Sequence, residues 1–154
     1  MQPDAHLVVD FLNTVTVEHS TDLLDEPEHW REWAAVHGLA PSAPDETRAA
    51  RDALRAAVGD PRLPASSLDA AARITLTGDG PELVAGDALG AVLAACARLV
   101  VRGDWIRLKI CPADTCLWAF YDESRNRSRT WCSMRVCGNR EKARGWRARA
   151  AVSD

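Results

Sequence analysis

At 154 residues, with a formal net charge of −3 and 47% hydrophobic residues, the chain has the size of one domain, or of a small domain joined to a metal-dependent module. Its longest apolar run, Ala94 to Val101, is broken by Arg98 and falls far short of the roughly twenty residues of a membrane span; no basic start, apolar stretch and small-residue cleavage site opens the chain. A cytoplasmic protein is the expectation, and because thiols stay reduced there, the five cysteines point to metal rather than to disulfides.

Leu7, Val8, Phe11, Leu12 and Val15 recur at helical spacing and predict a helix to about Thr14, against the strand preference of the β-branched run Thr14 to Val17. Asp10 and Asn13 fall toward its other side or edge, where they can line a small-molecule pocket or brace neighbouring backbone. Pro27 suits the first turn of a second helix, with Trp30, Ala34 and His37 on one face and Gly38 as its cap. Trp30 and Trp33 read as core or interface anchors, and His6, His19, His29 and His37 as ordinary surface or packing residues.

Ser42, Pro44 and Glu46 start a third helix, whose Ala50, Ala53, Leu54, Ala57 and Val58 form an apolar stripe ended by Gly59. Glu46, Asp52, Arg48, Arg51 and Arg55 make its solvated, charge-laced face. Asp60 to Ser67 is a loop. Arg73 to Thr77 alternates, turn chemistry follows over Gly78 to Pro81, and Glu82 to Ala85 returns, which predicts a short hairpin. Asp87 caps a helix running to about Val101, the most buried in the chain, where Cys96 packs as a small hydrophobe. Residues 1–103 thus form an acidic, mainly helical domain expected to fold without the remainder.

Residues 104–154 are of another kind. Cys111 and Cys116, then Cys132 and Cys137, form pairs that each enclose four residues and are separated by fifteen. Such a pattern can place four thiolates around one tetrahedral Zn²⁺; with no open position, the metal is structural. Ile106 to Ile110 and Leu117 to Tyr121 read as strands, so Cys111 to Cys116 is the turn of a hairpin, a zinc knuckle. Trp118, Phe120 and Tyr121 supply a miniature core, and Trp131 suits either core or base stacking. Cys132 and Cys137 frame the start of a final helix, about Met134 to Ala150, whose Val136, Ala143, Trp146 and Ala150 are expected to close over the hairpin. The fold class expected is therefore α+β and mainly helical: a helical domain with a short hairpin, then a treble-clef-like ββα zinc finger.

Basic residues concentrate on this finger. Arg140, Arg144 and Arg147 make one helical row and Arg135, Lys142 and Arg149 another, while Arg125, Arg127 and Arg129 punctuate the loop before it; Arg140, next to Cys137, can instead hydrogen-bond the knuckle. Up to Ala97 the chain has 6 basic and 16 acidic residues, a net of −10, and from Arg98 onward 13 and 6, a net of +7. Four thiolates with one Zn²⁺ lower the second figure to about +5. A basic module beside an acidic one fits a polyanion bound at one end only.

The run Cys111 to Arg149, with its SRNRSR, WCSM and Cys137-Gly138-Asn139-Arg140 blocks, closely resembles the CGNR zinc-finger family of bacterial proteins, regarded as transcription regulators. Leu7 to Thr14 (LVVDFLNT) resembles the companion domain, called ABATE, that precedes this finger. The resemblance implies a zinc-dependent transcription regulator that binds double-stranded DNA through the finger, with an N-terminal domain that dimerises, senses a small-molecule effector, or both. A finger that contacts RNA or a partner protein in a translation or stress complex is the competing expectation. No nucleophile with an adjacent base and no phosphate-cradling glycine loop is present, so no enzyme activity is expected.

Overall fold

The computed structural model describes residues 1–70 and 73–152; the last two positions of the basic module lie outside it. Among the described residues, α1 (Pro3–Leu12), α2 (Pro27–Val36), α3 (Pro44–Ala57), α4 (Ala88–Val101) and α5 (Asn139–Val152) are interspersed with antiparallel two-stranded hairpins, α3 following α2 directly. These pair β1 (Val15–Thr16) with β2 (Thr21–Asp22), β3 (Arg73–Thr77) with β4 (Gly80–Val84), and β5 (Leu108–Ile110) with β6 (Ala119–Tyr121). No described helix is long and apolar enough to cross a membrane.

The helix boundaries follow local chemistry. Proline opens α1, α2 and α3, where its missing N–H leaves no bond unmade. The Asp87 carboxylate accepts from the Gly90 amide at 2.8 Å and caps α4. Gly38 and Gly59, at φ +68° and +102°, reverse the chain after α2 and α3. The competing signals near Thr14 resolve by position: α1 stops at Leu12, the Thr14 hydroxyl donates to Phe11 O at 2.8 Å, and the β-branched pair Val15–Thr16 turns to strand.

α1 is the hub. Val8, Phe11 and Leu12 bury against Val92, Ala95 and Leu99 of α4 and Trp30 and Ala34 of α2. Trp30 is 2% exposed, stacks on Trp33 at 5.0 Å and donates its indole N–H to Ser42 O at 2.9 Å. Hairpin β5–β6 completes this core: Leu108, Ile110 and Ala119, with Leu117 just before β6, belong to the same apolar cluster. The opposite face of the hairpin carries the Lys109–Phe120 pair, and Phe120 joins Cys111, Ala113 and Cys137 in a second, smaller cluster.

The core built by residues 1–103 also takes in Leu108, Ile110, Leu117 and Ala119, so the apolar face of the finger hairpin is one wall of it. Two expectations are corrected. On α3 the buried positions are Thr47, Ala50, Arg51 and Arg55, whereas Ala57 is exposed and Leu54 and Val58 are half-buried. Arg51 and Arg55 are thus interior groups, not part of a solvated face. Finally, α5 does not close over the hairpin: Trp146 is 67% and Val136 53% exposed, and Ala143 and Ala150 are exposed too. The surface they were expected to cover is already taken by α1 and α4.

Candidate metal centre and basic surface

Hairpin β5–β6 delivers the first two thiols. Its turn is closed by the Cys111 amide donating to Trp118 O at 2.9 Å and the Cys116 amide to Ala113 O at 2.8 Å. Leu117 then adopts φ +48°, a left-handed conformation costing roughly 1–2 kcal/mol in a residue with a Cβ. Two anchors hold it there: its side chain is 2% exposed and its carbonyl accepts from Arg55 Nη2 at 2.7 Å.

The second pair comes from the start of the C-terminal helix. Ser133 caps a wide π-type turn, Met134–Gly138, by accepting from the Val136 amide at 3.3 Å, and Gly138 N–H reaches back to Ser133 O at 3.1 Å. A Cβ at Gly138 would lie 3.1 Å from Trp131 Cδ1 and 2.5 Å from Met134 Sδ, so glycine leaves room for both side chains beside this turn.

The four Sγ atoms of Cys111, Cys116, Cys132 and Cys137 all lie within 4.8 Å of one another; Cys132 Sγ is 3.6 Å from both Cys116 Sγ and Cys137 Sγ. Tetrahedral Zn–S bonds of about 2.3 Å require sulfur separations of roughly 3.8 Å, so this donor set fits one zinc ion. Burial pushes the Cys116 thiol up to about 11, against the Trp118 amide, and burial with the neighbouring thiols raises Cys132 as well. For Cys137 burial acts upward too, but the Arg140 guanidinium at 3.5 Å and the other thiols outweigh it and lower it. Four such groups are held as thiolates by a divalent cation; a cluster complete with four sulfurs is a structural site.

Asp122 organises the basic loop. Its fully buried carboxylate accepts from Lys109 Nζ at 2.6 Å and from the Ser124 and Arg129 amides, both at 2.9 Å. Burial would raise its pKa, but these partners reverse that and hold the carboxyl well below its usual range. Lys109 also donates to Arg127 O and Arg129 O, and Arg107 to Asp122 O and Ser124 O. The loop is therefore tied down at both ends, with Arg127 at φ +53° at its crest.

The expected DNA-contacting residues divide into two sets. Arg125, Arg127, Arg135, Lys142 and Arg147 are exposed and, among the described residues, make no side-chain ion pair or hydrogen bond. Arg129 sits over Phe120 at 4.9 Å and donates to Trp131 O and Cys132 O, bracing the metal site. Arg140 contacts Cys137 and lies 3.7 Å from Glu18, with Nε buried and unpartnered among the described residues. Arg144 pairs with Asp114 and Glu141; Arg149 on the last turn is exposed and also engaged.

Asn13 reaches the finger hairpin. Its amide donates to Ala119 O at 2.9 Å and accepts from Ala119 N–H at 2.8 Å, adding a rung to the outer edge of β6. Asp10 lies 3.4 Å from His6 Nε2 and 3.7 Å from His37 Nε2.

Sequence reasoning passed over Lys109 and Asp122 and read Arg55 as a surface group. Only Asp122 left a signal: an acidic residue just past a strand, before a loop of arginines, suggests a lid on loop amides.

A family model for the CGNR zinc finger matches residues 107–150, and the ABATE model, described as "Putative stress-induced transcription regulator", matches residues 5–103. No curated protein matches the chain. With the four-cysteine centre in the finger and the ABATE model spanning the helical portion, the chain belongs to the ABATE family and carries a CGNR zinc finger.

Proposed function

We propose that the protein regulates transcription by binding duplex DNA through the basic surface that zinc builds. The observation that carries this reading is the set Arg125, Arg127, Arg135, Lys142 and Arg147, exposed without ion-pair partners among the described residues around a rigid centre while the chain's negative charge is segregated elsewhere. Guanidinium and ammonium groups in this state neutralise phosphates and release condensed counterions. A loop already fixed by Asp122 and Lys109 loses little further entropy on binding. The zinc is structural in this scheme, and the protein acts as a binding regulator rather than as a catalyst, in the cytoplasm.

Fluorescence anisotropy of zinc-loaded protein with random duplexes at several salt concentrations tests the reading. Binding that weakens steeply with salt is expected, and undetectable duplex binding at low salt would overturn it. Trp118 and Trp146, 41% and 67% exposed, favour RNA as a second reading, since aromatic faces stack on unpaired bases. Tighter binding to a structured RNA than to any duplex, lost when Trp118 and Trp146 are replaced by Ala, would establish it.

A further inference from the structure

Hairpin β3–β4 stands away from the shared core. All five residues of β3 are exposed, Ile74 at 66% and Leu76 at 82%. A cavity of about 640 Å³, lined by Leu83, Val84, Leu93, Ala94 and Ala97 among others, separates the hairpin from α4. In the observed register Ile74 lies opposite Leu83 and Leu76 opposite Pro81, so these four side chains share one face, and Arg73, Thr75, Thr77, Glu82 and Val84 alternate onto the other. A two-stranded hairpin with an uncovered apolar face is marginal in water.

The open edges differ in chemistry. Pro81 has no N–H, so the alternating ladder bonds fall on the Arg73–Val84, Thr75–Glu82 and Thr77–Gly80 pairs, which turns the main-chain groups of Ile74 and Leu76 to the outer side of β3. That edge has no proline and no charge at its centre, the devices with which natural edges avoid association. The outer side of β4 has Pro81, which cannot donate.

We propose that two copies of the chain dimerise by pairing their β3 edges antiparallel, about a two-fold axis at Thr75, to make a four-stranded sheet. The register is self-complementary. Ile74 falls opposite the partner's Leu76, so the outward N–H and C=O groups of both are satisfied and the apolar faces become continuous. Thr75 falls opposite its own copy, a favourable cross-strand pair. Arg73 falls opposite the partner's Thr77 and one diagonal step from the partner's Asp79. Neither Arg73 nor Asp79 has an ion-pair partner within the chain among the described residues, so the pairing supplies one for each. Two-fold pairing through β4 would instead centre on Glu82 and oppose like charges. A symmetric interface of this type closes on itself and stops at two copies.

The test uses the full, zinc-loaded chain and needs no nucleic acid, so its outcome is separate from that of the regulatory reading. Sedimentation equilibrium at micromolar concentration should return twice the 16.8 kDa chain mass. Thr75→Cys should form a disulfide-linked dimer under mild oxidation, because facing residues put their Cβ atoms about 4.5–5.5 Å apart; Glu82→Cys should not. Thr75→Glu, which sets two carboxylates against each other, should weaken association at least tenfold with helicity and zinc content unchanged, and Ile74→Lys serves should that variant fold poorly. A monomer at 200 µM would overturn the proposal. So would a dimer indifferent to both substitutions, or Glu82→Cys crosslinking as readily as Thr75→Cys.

Discussion

Arg51 and Arg55 of α3 carry the same side chain as Arg125 and Arg127 of the finger loop, yet the first two are 2% and 1% exposed and the second two lie open to solvent. Arg55 donates Nη1 to Leu12 O at 2.6 Å, Nη2 to Leu117 O at 2.7 Å and Nε to Asp60 at 2.9 Å, so one guanidinium joins the end of α1, the zinc knuckle and the loop after α3. Leu12 O is at the C-terminus of a helix, where orphan carbonyls and the helix dipole favour a cation. Arg51 grips Asp22 with two bonds, of 2.7 and 2.8 Å, and touches Thr14. An arginine is interior cement when it finds carbonyls and carboxylates with their own lone pairs to satisfy, and a contact surface when it finds none. Net charge cannot distinguish the two.

The largest effect should come from removing the metal that holds one end of this arrangement. Chelation, or Cys137→Ser, should cost on the order of 10 kcal/mol of folding free energy. Because Leu108, Ile110, Leu117 and Ala119 line the common core, the loss should spread beyond the finger and reduce the helix signal of the N-terminal portion in circular dichroism. Intact N-terminal helices after zinc removal would show that the core does not need its finger wall. Arg55→Met comes next. It should lower stability by about 3–5 kcal/mol in urea denaturation of zinc-loaded protein, since it leaves two buried carbonyls without their donor and Asp60 to Arg62 alone, while leaving the salt dependence of DNA binding unchanged.

Asp22→Asn probes the other buried arginine, at roughly 1–3 kcal/mol. Burial acts to raise the Asp22 pKa, but Arg51, the Leu24 amide and Arg48 outweigh it and the net shift is downward. A depressed folded-state pKa gives stability that is fully present above the ordinary carboxylate range and is lost below it. The wild-type advantage should therefore be flat from about pH 7 to 5 and shrink only below about 4; a decline within the flat range would place the coupling elsewhere. Smallest in stability is Arg127→Ala, within about 0.5 kcal/mol. It should nevertheless lower the log–log salt slope of duplex binding by about one. Arg129→Ala should lose stability as well, because its guanidinium holds Trp131 O and Cys132 O.

The zinc ligands, the capped α4, the ends of α2 and the β3–β4 hairpin were legible because each is written in neighbouring residues: ligand spacing, Asp87, Pro27 with Gly38, and alternation over Arg73 to Thr77. What escaped the sequence is long-range. Arg55 looked like a surface group because its partners lie 43 and 62 positions away, at Leu12 and Leu117. Asn13 bonds a strand 106 residues on. The stripe on α5 was periodic enough to predict a buried face, but periodicity does not reveal that the surface it would cover is already occupied. A shared core likewise leaves no local trace, since the finger's inward face has the same pattern whether it meets its own helix or a neighbour's.

Leu117 gives the junction a further property. Its left-handed backbone lies directly after the second metal ligand, and its carbonyl is held by Arg55 from α3. Two equilibria meet at this peptide, and linkage between them must be reciprocal: whatever factor zinc contributes to docking of the helices, docking returns to zinc affinity. A change on α3, or a molecule that tightens α1 against α4, would then alter the zinc dissociation constant without touching a sulfur. Read in the cell, the metal occupancy of this finger would report the state of a helical domain that contributes no ligand to it.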